Sequence, residues 1–238
     1  MTEKKIIGLE QFMPMDVMSD AVLEFIHGGS VNRDEIALRM ADYNKGNNRS
    51  KKAVNTIVAS VIAKNALTKA LRKEFDVVSY AKMSKCDRSM IAVCLICLRY
   101  PFLYDLLVAF AKLFNLQDTV NRQYIHDTIA AKYGSNLTLN HGLEAGIRIA
   151  VDSGLITRVK AGLFAKGEIL NVCQFAKEAW IYTDFELNGR KKLLTEELRF
   201  QPWICYLPDF EIDWNKSQIL EVRFDFSDQI WIEKVKPN

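Results

Sequence analysis

Cysteine and histidine are the residue types in this sequence whose spacing could support redox chemistry, metal binding or catalysis. Cys94 and Cys97 form a C-x-x-C pair, a spacing found in redox centres and in half of many zinc sites. The pair lies inside an apolar helical run, and Cys86, Cys173 and Cys205 are too scattered to supply a second pair. We therefore expect Cys94 and Cys97 to be buried structural thiols.

Two histidines have polar neighbours that could act with them. His126 is followed by Asp127, but adjacent residues of a helix point in different directions, so we expect a surface or capping histidine rather than a general base. His141 is followed by Glu144 and Arg148 on the outward side of a predicted helix. Those three side chains could contact a DNA groove or simply face solvent.

Sequence motifs for catalysis are missing from the chain. There is no Gly-rich phosphate loop, nucleophile elbow, H-E-x-x-H sequence or acidic metal cluster. We therefore expect a protein that is not an enzyme and that needs no cofactor or metal.

Composition and charge restrict the class of protein. The chain has 238 residues and 49% hydrophobic content, which excludes disorder over most of its length. Its net charge of +3 is mild, but the charge is uneven: residues 1–101 carry +5, residues 102–183 carry +1 and residues 184–238 carry −3. The overall charge therefore indicates no partner, whereas its distribution does.

The sharpest local signal is the stretch from Tyr43 to Lys73, which is basic and contains no acidic residue. Its cations are Lys45, Arg49, Lys51, Lys52, Lys64, Lys69, Arg72 and Lys73. A solvated helix face is one interpretation of such a stretch. The absence of acidic residues argues against it, because solvated faces usually mix charges to form i,i+4 pairs.

Cysteine usage and hydropathy indicate the compartment. Five cysteines are an odd and sparse number, which predicts a reducing, cytoplasmic environment. The longest unbroken apolar run, Met90 to Leu98, has nine residues and is under half a membrane span. We expect no transmembrane segment, and the pattern of Met1 to Gln11 does not predict a secretory signal.

Helices and their caps dominate the chain up to Tyr133. Asn32 and Ser84 each begin a capping-box sequence, and Ser50 is placed to cap the basic helix. Pro101 must separate an apolar helix ending near Leu98 from a second helix, Phe102 to Phe114. In the helix that follows Asn32, the residues expected to face inward are Ile36, Ala37, Met40 and Ala41. In the basic helix that follows Ser50, they are Val54, Ile57, Val58, Val61 and Ile62.

The middle of the chain predicts a winged helix-turn-helix. A helix from Asn121 to Tyr133, with Tyr124, Ile125, Thr128 and Ile129 on one side, stops at Gly134. Thr138 can cap a second helix ending at Ser153, and its inward residues are Leu143, Ile147, Ala150 and Val151. Leu155 to Lys160 and Leu163 to Lys166 then form a short hairpin.

The last part of the chain predicts β structure. Asn188-Gly189 is a strong two-residue hairpin signal between Trp180 to Leu187 and Arg190 to Leu194. Alternation from Leu220 to Phe226, followed by Ile230 to Val235, predicts a second antiparallel pair. The expected fold is mainly α (α+β), with a helical bundle at 1–116, a winged-helix-like unit at 117–170 and a small β-rich segment at 171–238.

The sequence Leu95-Ile-Cys-Leu-Arg-Tyr-Pro-Phe-Leu-Tyr-Asp-Leu-Leu107 resembles the hydrophobic helix, Tyr-Pro-Phe corner and second helix of BrxA, a small protein of bacterial BREX phage-exclusion systems. Ser50-Lys51-Lys52 upstream, and the helix Leu139 to Asp152 ending in Ser153-Gly154-Leu155-Ile156, are similar to that family on either side of the corner. The resemblance covers roughly Asp16 to Val159 and leaves out the segment after about Val172.

The resemblance implies a non-enzymatic, mainly helical DNA-binding component that acts in phage defence beside a methyltransferase, an ATPase and a phosphatase-like partner. The matching residues Tyr100, Pro101 and Phe102 look structural rather than functional.

Our leading hypothesis is a double-stranded DNA-binding protein. The basic segment would contact phosphates, and the winged unit would supply Arg122, Gln123, His141, Arg148, Arg158, Lys160 and Lys166. With one Arg on the presumed recognition helix, we expect weak sequence specificity. The alternatives are a protein-interaction scaffold, whose anchors would be Trp180, Trp203, Trp214 and Trp231, and an RNA-binding helical protein.

Overall fold

The computed structural model describes residues 6–43, 46–168, 171–207, 210–225 and 229–233. The chain is mainly helical, with small antiparallel sheets, which confirms the predicted fold class. The helices are α1 (Met15–Gly28), α2 (Arg33–Met40), α3 (Asn47–Val61), α4 (Ala66–Glu74), α5 (Val77–Ala81), α6 (Lys85–Arg99), α7 (Pro101–Phe114), α8 (Arg122–Tyr133), α9 (Leu137–Asp152) and α10 (Gln174–Asn188). The strands are β1 (Thr119–Asn121), β2 (Ile156–Lys160), β3 (Leu163–Lys166), β4 (Lys192–Leu194), β5 (Glu221–Phe224) and β6 (Ile230–Glu233).

Helices α6 and α7 form the centre of the core. Ser84 and Asp87 make the predicted capping box at the start of α6, and every residue from Met90 to Cys97 is buried. Pro101 is the first residue of α7 and turns the chain by 118°. Among the described residues, no single helix is long and apolar enough to cross a bilayer, and only α6 and α7 reach that length together, as a bent pair.

The basic helix begins earlier than its sequence predicts. Asn32 caps α2 as expected, but α3 begins at Asn47 after an extended Gly46, so the prediction of Ser50 as its cap is wrong. The Ser50 N–H donates to the Gly46 carbonyl, an ordinary bond of the first helical turn. Gly46 is the N-cap of α3, a role that Gly fills well although it has no side chain to accept a hydrogen bond. Ala37, Ala41 and Ile62, which we expected to face inward, are exposed.

The winged unit is present and includes a strand that the sequence did not predict. Helices α7, α8 and α9 pack together, β2 and β3 form the predicted hairpin, and β1 pairs with β3 to give the strand order β1-β3-β2. Asn136 rather than Thr138 caps α9, which is a correction of two residues. Tyr124 and Thr128 are exposed, and Ile125, Ile129 and Tyr133 form the buried side of α8.

The predicted hairpin around Asn188-Gly189 is wrong. Residues 180–185 are all buried within α10, so the apolar pattern there carries no strand period. Gly189, with φ of 63°, ends the helix as its C-cap, because a left-handed Gly serves a helix end as well as a hairpin turn. β4, β6 and β5 do form the predicted type of antiparallel sheet, in that order. The predicted strand ends at Phe226 and Val235 lie outside the described residues.

Buried carboxylates join α10 to the rest of the molecule. Asp184 accepts hydrogen bonds from Tyr104 Oη on α7, Asn188 Nδ2 and Trp203 Nε1. Glu178 is fully buried and accepts bonds from the Ser217 hydroxyl and from the backbone N–H groups of residues 218 and 219. Such networks stabilise a fold because buried polar groups are costly when unpaired.

The four tryptophans differ in how accessible they are. Trp180 and Trp203 are fully buried and pack edge to face, whereas Trp214 and Trp231 are half-buried. The first two therefore belong to the core and cannot serve as anchors for a docking partner.

Candidate nucleic-acid interface

A first cleft lies between the start of α3, the outward face of α9 and the N-terminal segment, residues 6–14. It encloses about 450 Å³. Arg49 and Lys52 of α3 line one side, and His141 and Arg148 of α9 line the other. The structure thus brings together cations that are almost one hundred residues apart in the chain.

A second cleft lies on the other side of α9, against the start of α8 and the wing, by which we mean the β2–β3 hairpin. It encloses about 430 Å³, and Arg122, Arg148 and Arg158 supply its cations. The Arg122 N–H donates to the Gly162 carbonyl at the wing tip, at 2.8 Å, which fixes the start of α8 against the wing. Gly162 has φ of 72°, the left-handed conformation that this tight turn requires.

The two clefts adjoin along α9. Glu144 and Arg148 line both, so α9 forms a ridge between them, with these side chains at its crest. The continuous cationic surface, called here the α9 surface, gathers predicted site residues from separate elements: Arg49, Lys52, Arg122, His141, Arg148 and Arg158. All of these side chains are exposed.

Close packing at glycines fixes the position of α9. A Cβ at Gly142 would lie 2.6 Å from Ile7 Cγ2, so the N-terminal segment lies directly on the helix there. A Cβ at Gly146 would lie 2.5 Å from Leu106 Cδ2 of α7. The Asp152 carboxylate also accepts the Met15 N–H at 2.7 Å, which joins the end of α9 to the start of α1.

The N-terminal segment contributes side chains that sequence reasoning missed. Phe12 stacks beneath Arg148, whose guanidinium carbon is 4.1 Å from the ring centre. A Glu10 carboxylate oxygen is 3.7 Å from Lys52 Nζ. Gln11 also lines the first cleft. No local pattern indicated these residues, because only the tertiary fold places the segment beside α9.

Other cations of the basic segment lie away from the α9 surface. Lys51 is one turn before Asn55, which accepts a hydrogen bond from Arg33 of α2, so Lys51 lies on the α2 side of α3. Arg72 lies over the Phe25 ring of α1 at 5.6 Å. Lys64, Lys69 and Lys73 come after the end of α3 at Val61, which lies roughly 13 Å along the helix axis from Lys52 at 1.5 Å per residue, and none of the three lines either cleft. Lys73 is paired with Glu74 at 2.9 Å.

The remaining predicted contacts are divided between the winged unit and its flanks. Gln123 Nε2 donates to Asp127 at 2.8 Å, and Lys160 is exposed at the end of β2. Lys166 lies at the base of the wing, near Cys205. Burial raises the pKa of Cys205 to about 11, although the Lys166 charge lowers it in part. Lys45 lies outside the described residues.

Cys94 and Cys97 lie as the sequence predicts, whereas His126 makes a contact that the sequence argued against. Cys94 and Cys97 are fully buried, as expected, and burial raises the pKa of Cys94 to about 12 and that of Cys97 well above its usual value. His126 and Asp127 do meet, with Nδ1 3.1 Å from Oδ1, and this hydrogen bond lowers the pKa of Asp127. In the described part of the chain, no three His, Cys, Asp or Glu side chains come together as a metal site.

Neither a protein-family profile nor a curated protein nor a solved structure matches this chain. The resemblance to BrxA therefore depends on the sequence motifs alone.

Proposed function

We propose that this chain is a cytoplasmic, non-enzymatic protein that binds double-stranded DNA mainly through phosphate contacts, with weak sequence specificity. The observation that carries the proposal is the α9 surface, where exposed cations of α3, α8, α9 and the wing line adjoining clefts. Separate elements bring five Lys and Arg side chains to one surface, against the two carboxylates of Glu10 and Glu144, and such an excess of positive charge is what a polyanion needs.

The strength of the proposed binding depends on salt in a calculable way. If Arg49, Lys52, Arg122 and Arg158 each neutralise one phosphate, their counterions are released, and log affinity falls against log salt with a slope of about −3.6. Contacts to phosphates position the protein but read no sequence, so most duplexes are bound alike.

The test is fluorescence anisotropy of a labelled random-sequence duplex, titrated with protein at several salt concentrations. The variant Arg49→Glu, Lys52→Glu removes cations of the first cleft. The matched control Lys64→Glu, Lys69→Glu also reverses two positive charges of the basic segment, but these two residues line neither cleft. We expect the first variant to bind more weakly and to flatten the slope of log affinity against log salt by about 2. The control should change the affinity and the slope much less.

Two outcomes would overturn the proposal. Absence of wild-type binding at about 50 mM salt would exclude DNA as the ligand, because phosphate contacts are strongest at low salt. Equal effects of the two variants would show that the α9 surface is not the contact. Duplex RNA as a competitor separates the RNA alternative, since a DNA-binding protein should prefer the DNA duplex.

We propose further that the protein acts in a BREX-like phage-defence system, beside a methyltransferase, an ATPase and a phosphatase-like protein. The support is the resemblance around Tyr100-Pro101-Phe102. The test is phage plating on a host that carries the complete system, with this chain deleted and then restored. Wild type should restore protection, and Arg49→Glu, Lys52→Glu should restore less; full protection without the chain would contradict the proposal.

A further inference from the structure

Winged helix-turn-helix units place their second helix, here α9, in the major groove of DNA. We propose that Glu144 of α9 accepts a hydrogen bond there from the amino group of a cytosine. This inference rests on the proposed function, and it adds one base-reading residue and the placement of one phosphate backbone in each cleft. It starts from Glu144 and Arg148, which line both clefts of the α9 surface.

The first step is the shape of the surface. The α9 ridge has cations on both flanks, Arg49 and Lys52 in the first cleft and Arg122 and Arg158 in the second. A helix with its side chains is 10–12 Å across, and the major groove of B-DNA is about 12 Å wide. A ridge with cations on each flank fits a groove bordered by two phosphate backbones, one backbone in each cleft.

The second step concerns the charge at the crest. Glu144 is an exposed carboxylate in the middle of this cationic surface. Next to a phosphate it would repel the duplex, because like charges a few ångströms apart oppose each other even in water. With both backbones held in the clefts, the crest faces the floor of the groove, where base edges rather than phosphates are presented.

The third step selects the base. In the major groove, guanine presents acceptors at O6 and N7, and thymine presents the O4 acceptor and a methyl group. Adenine has an amino donor beside the N7 acceptor, which disfavours a carboxylate. Cytosine presents its N4 amino donor alone, so it is the base that Glu144 matches.

The experiment selects bound duplexes from a randomised library with wild type and with Glu144 variants, and sequences them. Wild type should enrich cytosine at one position by roughly fivefold or more. Glu144→Gln should shift that preference to adenine, because a Gln amide pairs with adenine N6 and N7. Glu144→Ala should lose the preference for cytosine at that position. The control Glu196→Gln, exposed and outside both clefts, should behave as wild type.

Modified duplexes test the groove itself. Inosine in place of guanine removes only the minor-groove amino group, so binding should be unchanged. Cytosine carrying a glucosylated 5-hydroxymethyl group fills the major groove without changing phosphate charge, so binding should fall severalfold. Weaker binding to the inosine duplex, together with unchanged binding to the glucosylated duplex, would place α9 outside the major groove and overturn the inference.

The two proposals fail in distinguishable ways. If wild type retains no library duplex at low salt, the proposed function itself is wrong. If wild type binds with the expected salt slope but the Glu144 variants share its base preference, DNA binding remains and the assignment of Glu144 is wrong.

Discussion

The guanidinium of Arg148 lies over the ring of Phe12, 4.1 Å from its centre, and joins the N-terminal segment to the ridge of the α9 surface. A cation over an aromatic face is attracted by the ring quadrupole. The stacking therefore holds the charge of Arg148 in place before any ligand arrives. Less side-chain freedom is then lost when a phosphate or base binds.

We expect Phe12→Leu to weaken DNA binding by about two- to fivefold, because an exposed cation–π contact contributes about 0.5–1 kcal/mol and Arg148 would lose its fixed position. Anisotropy titration at constant salt measures the change. Phe200→Leu is the matched control, since Phe200 is 77% exposed and lies in neither cleft. Equal affinities of the two variants would show that the stacking does not support binding.

Glu10 should act against DNA binding. Its carboxylate is 3.7 Å from Lys52 Nζ and adds a negative charge to the first cleft. We expect Glu10→Gln to tighten binding by up to about fivefold at low salt, in line with the roughly 0.2–1 kcal/mol of an exposed ion pair. The gain should shrink as salt rises, because salt screens exposed charges. Weaker binding by Glu10→Gln at all salt concentrations would contradict this expectation.

The buried carboxylate of Asp184 should matter for stability rather than for DNA binding. Asp184→Ala leaves the Trp203 indole N–H without its acceptor, and the Tyr104 hydroxyl of α7 loses the carboxylate to which it donates. The Asn188 amide loses one of its two acceptors and keeps the Tyr104 hydroxyl. We expect a loss of about 3 kcal/mol in the free energy of unfolding, measured by urea denaturation. Asp213→Ala, which changes an exposed carboxylate, should cost much less. A loss below about 1 kcal/mol for Asp184→Ala would contradict the role of this network.

Stability should fall at alkaline pH. The pKa of Cys94 is about 12 in the folded protein because the thiol is buried, against 9.0 for an exposed thiol. The unfolded chain therefore releases this proton first, so stability is complete below pH 9 and is lost as pH rises from 9 toward 12.

The measurement is the melting temperature between pH 7 and pH 11, compared between wild type and Cys94→Ala. The variant should melt lower at neutral pH, because the substitution leaves a small cavity, and should lose less stability on raising the pH. A parallel decline in both proteins would assign the alkaline loss to other groups, such as the buried Tyr80, whose pKa is also raised.

Elements with local signals could be predicted from the sequence. The caps at Asn32 and Ser84 and the stop at Gly134 occur where their hydrogen-bonding chemistry predicts them, and Pro101 separates the two core helices. Asn188-Gly189 was misassigned because α10 is buried on all sides. Such a helix shows no 3.6-residue period, and the turn residues alone cannot distinguish a hairpin from a helix end.

The site was only partly predictable for a different reason. A basic segment shows which residues carry charge but not which way each one faces, and Lys51 and Lys52 are adjacent in sequence yet lie on different sides of α3. Arg49 and Arg158 meet the same helix from opposite flanks through tertiary packing. The segment that carries Glu10 and Phe12 is held against α9 by the packing of Ile7 on Gly142 and by the hydrogen bond from Met15 to Asp152, which no local pattern encodes.

The hydrogen bond from Arg122 to Gly162 also bears on the entropy of binding. The wing is paired along β3 with β1 at its base, and its tip is fastened to the start of α8. A hairpin free at its tip would sample many orientations and would lose that freedom on contact with a ligand. Here the ordering is complete when the protein folds, so the arginines of the second cleft can meet a rigid polyanion without a further loss of backbone entropy.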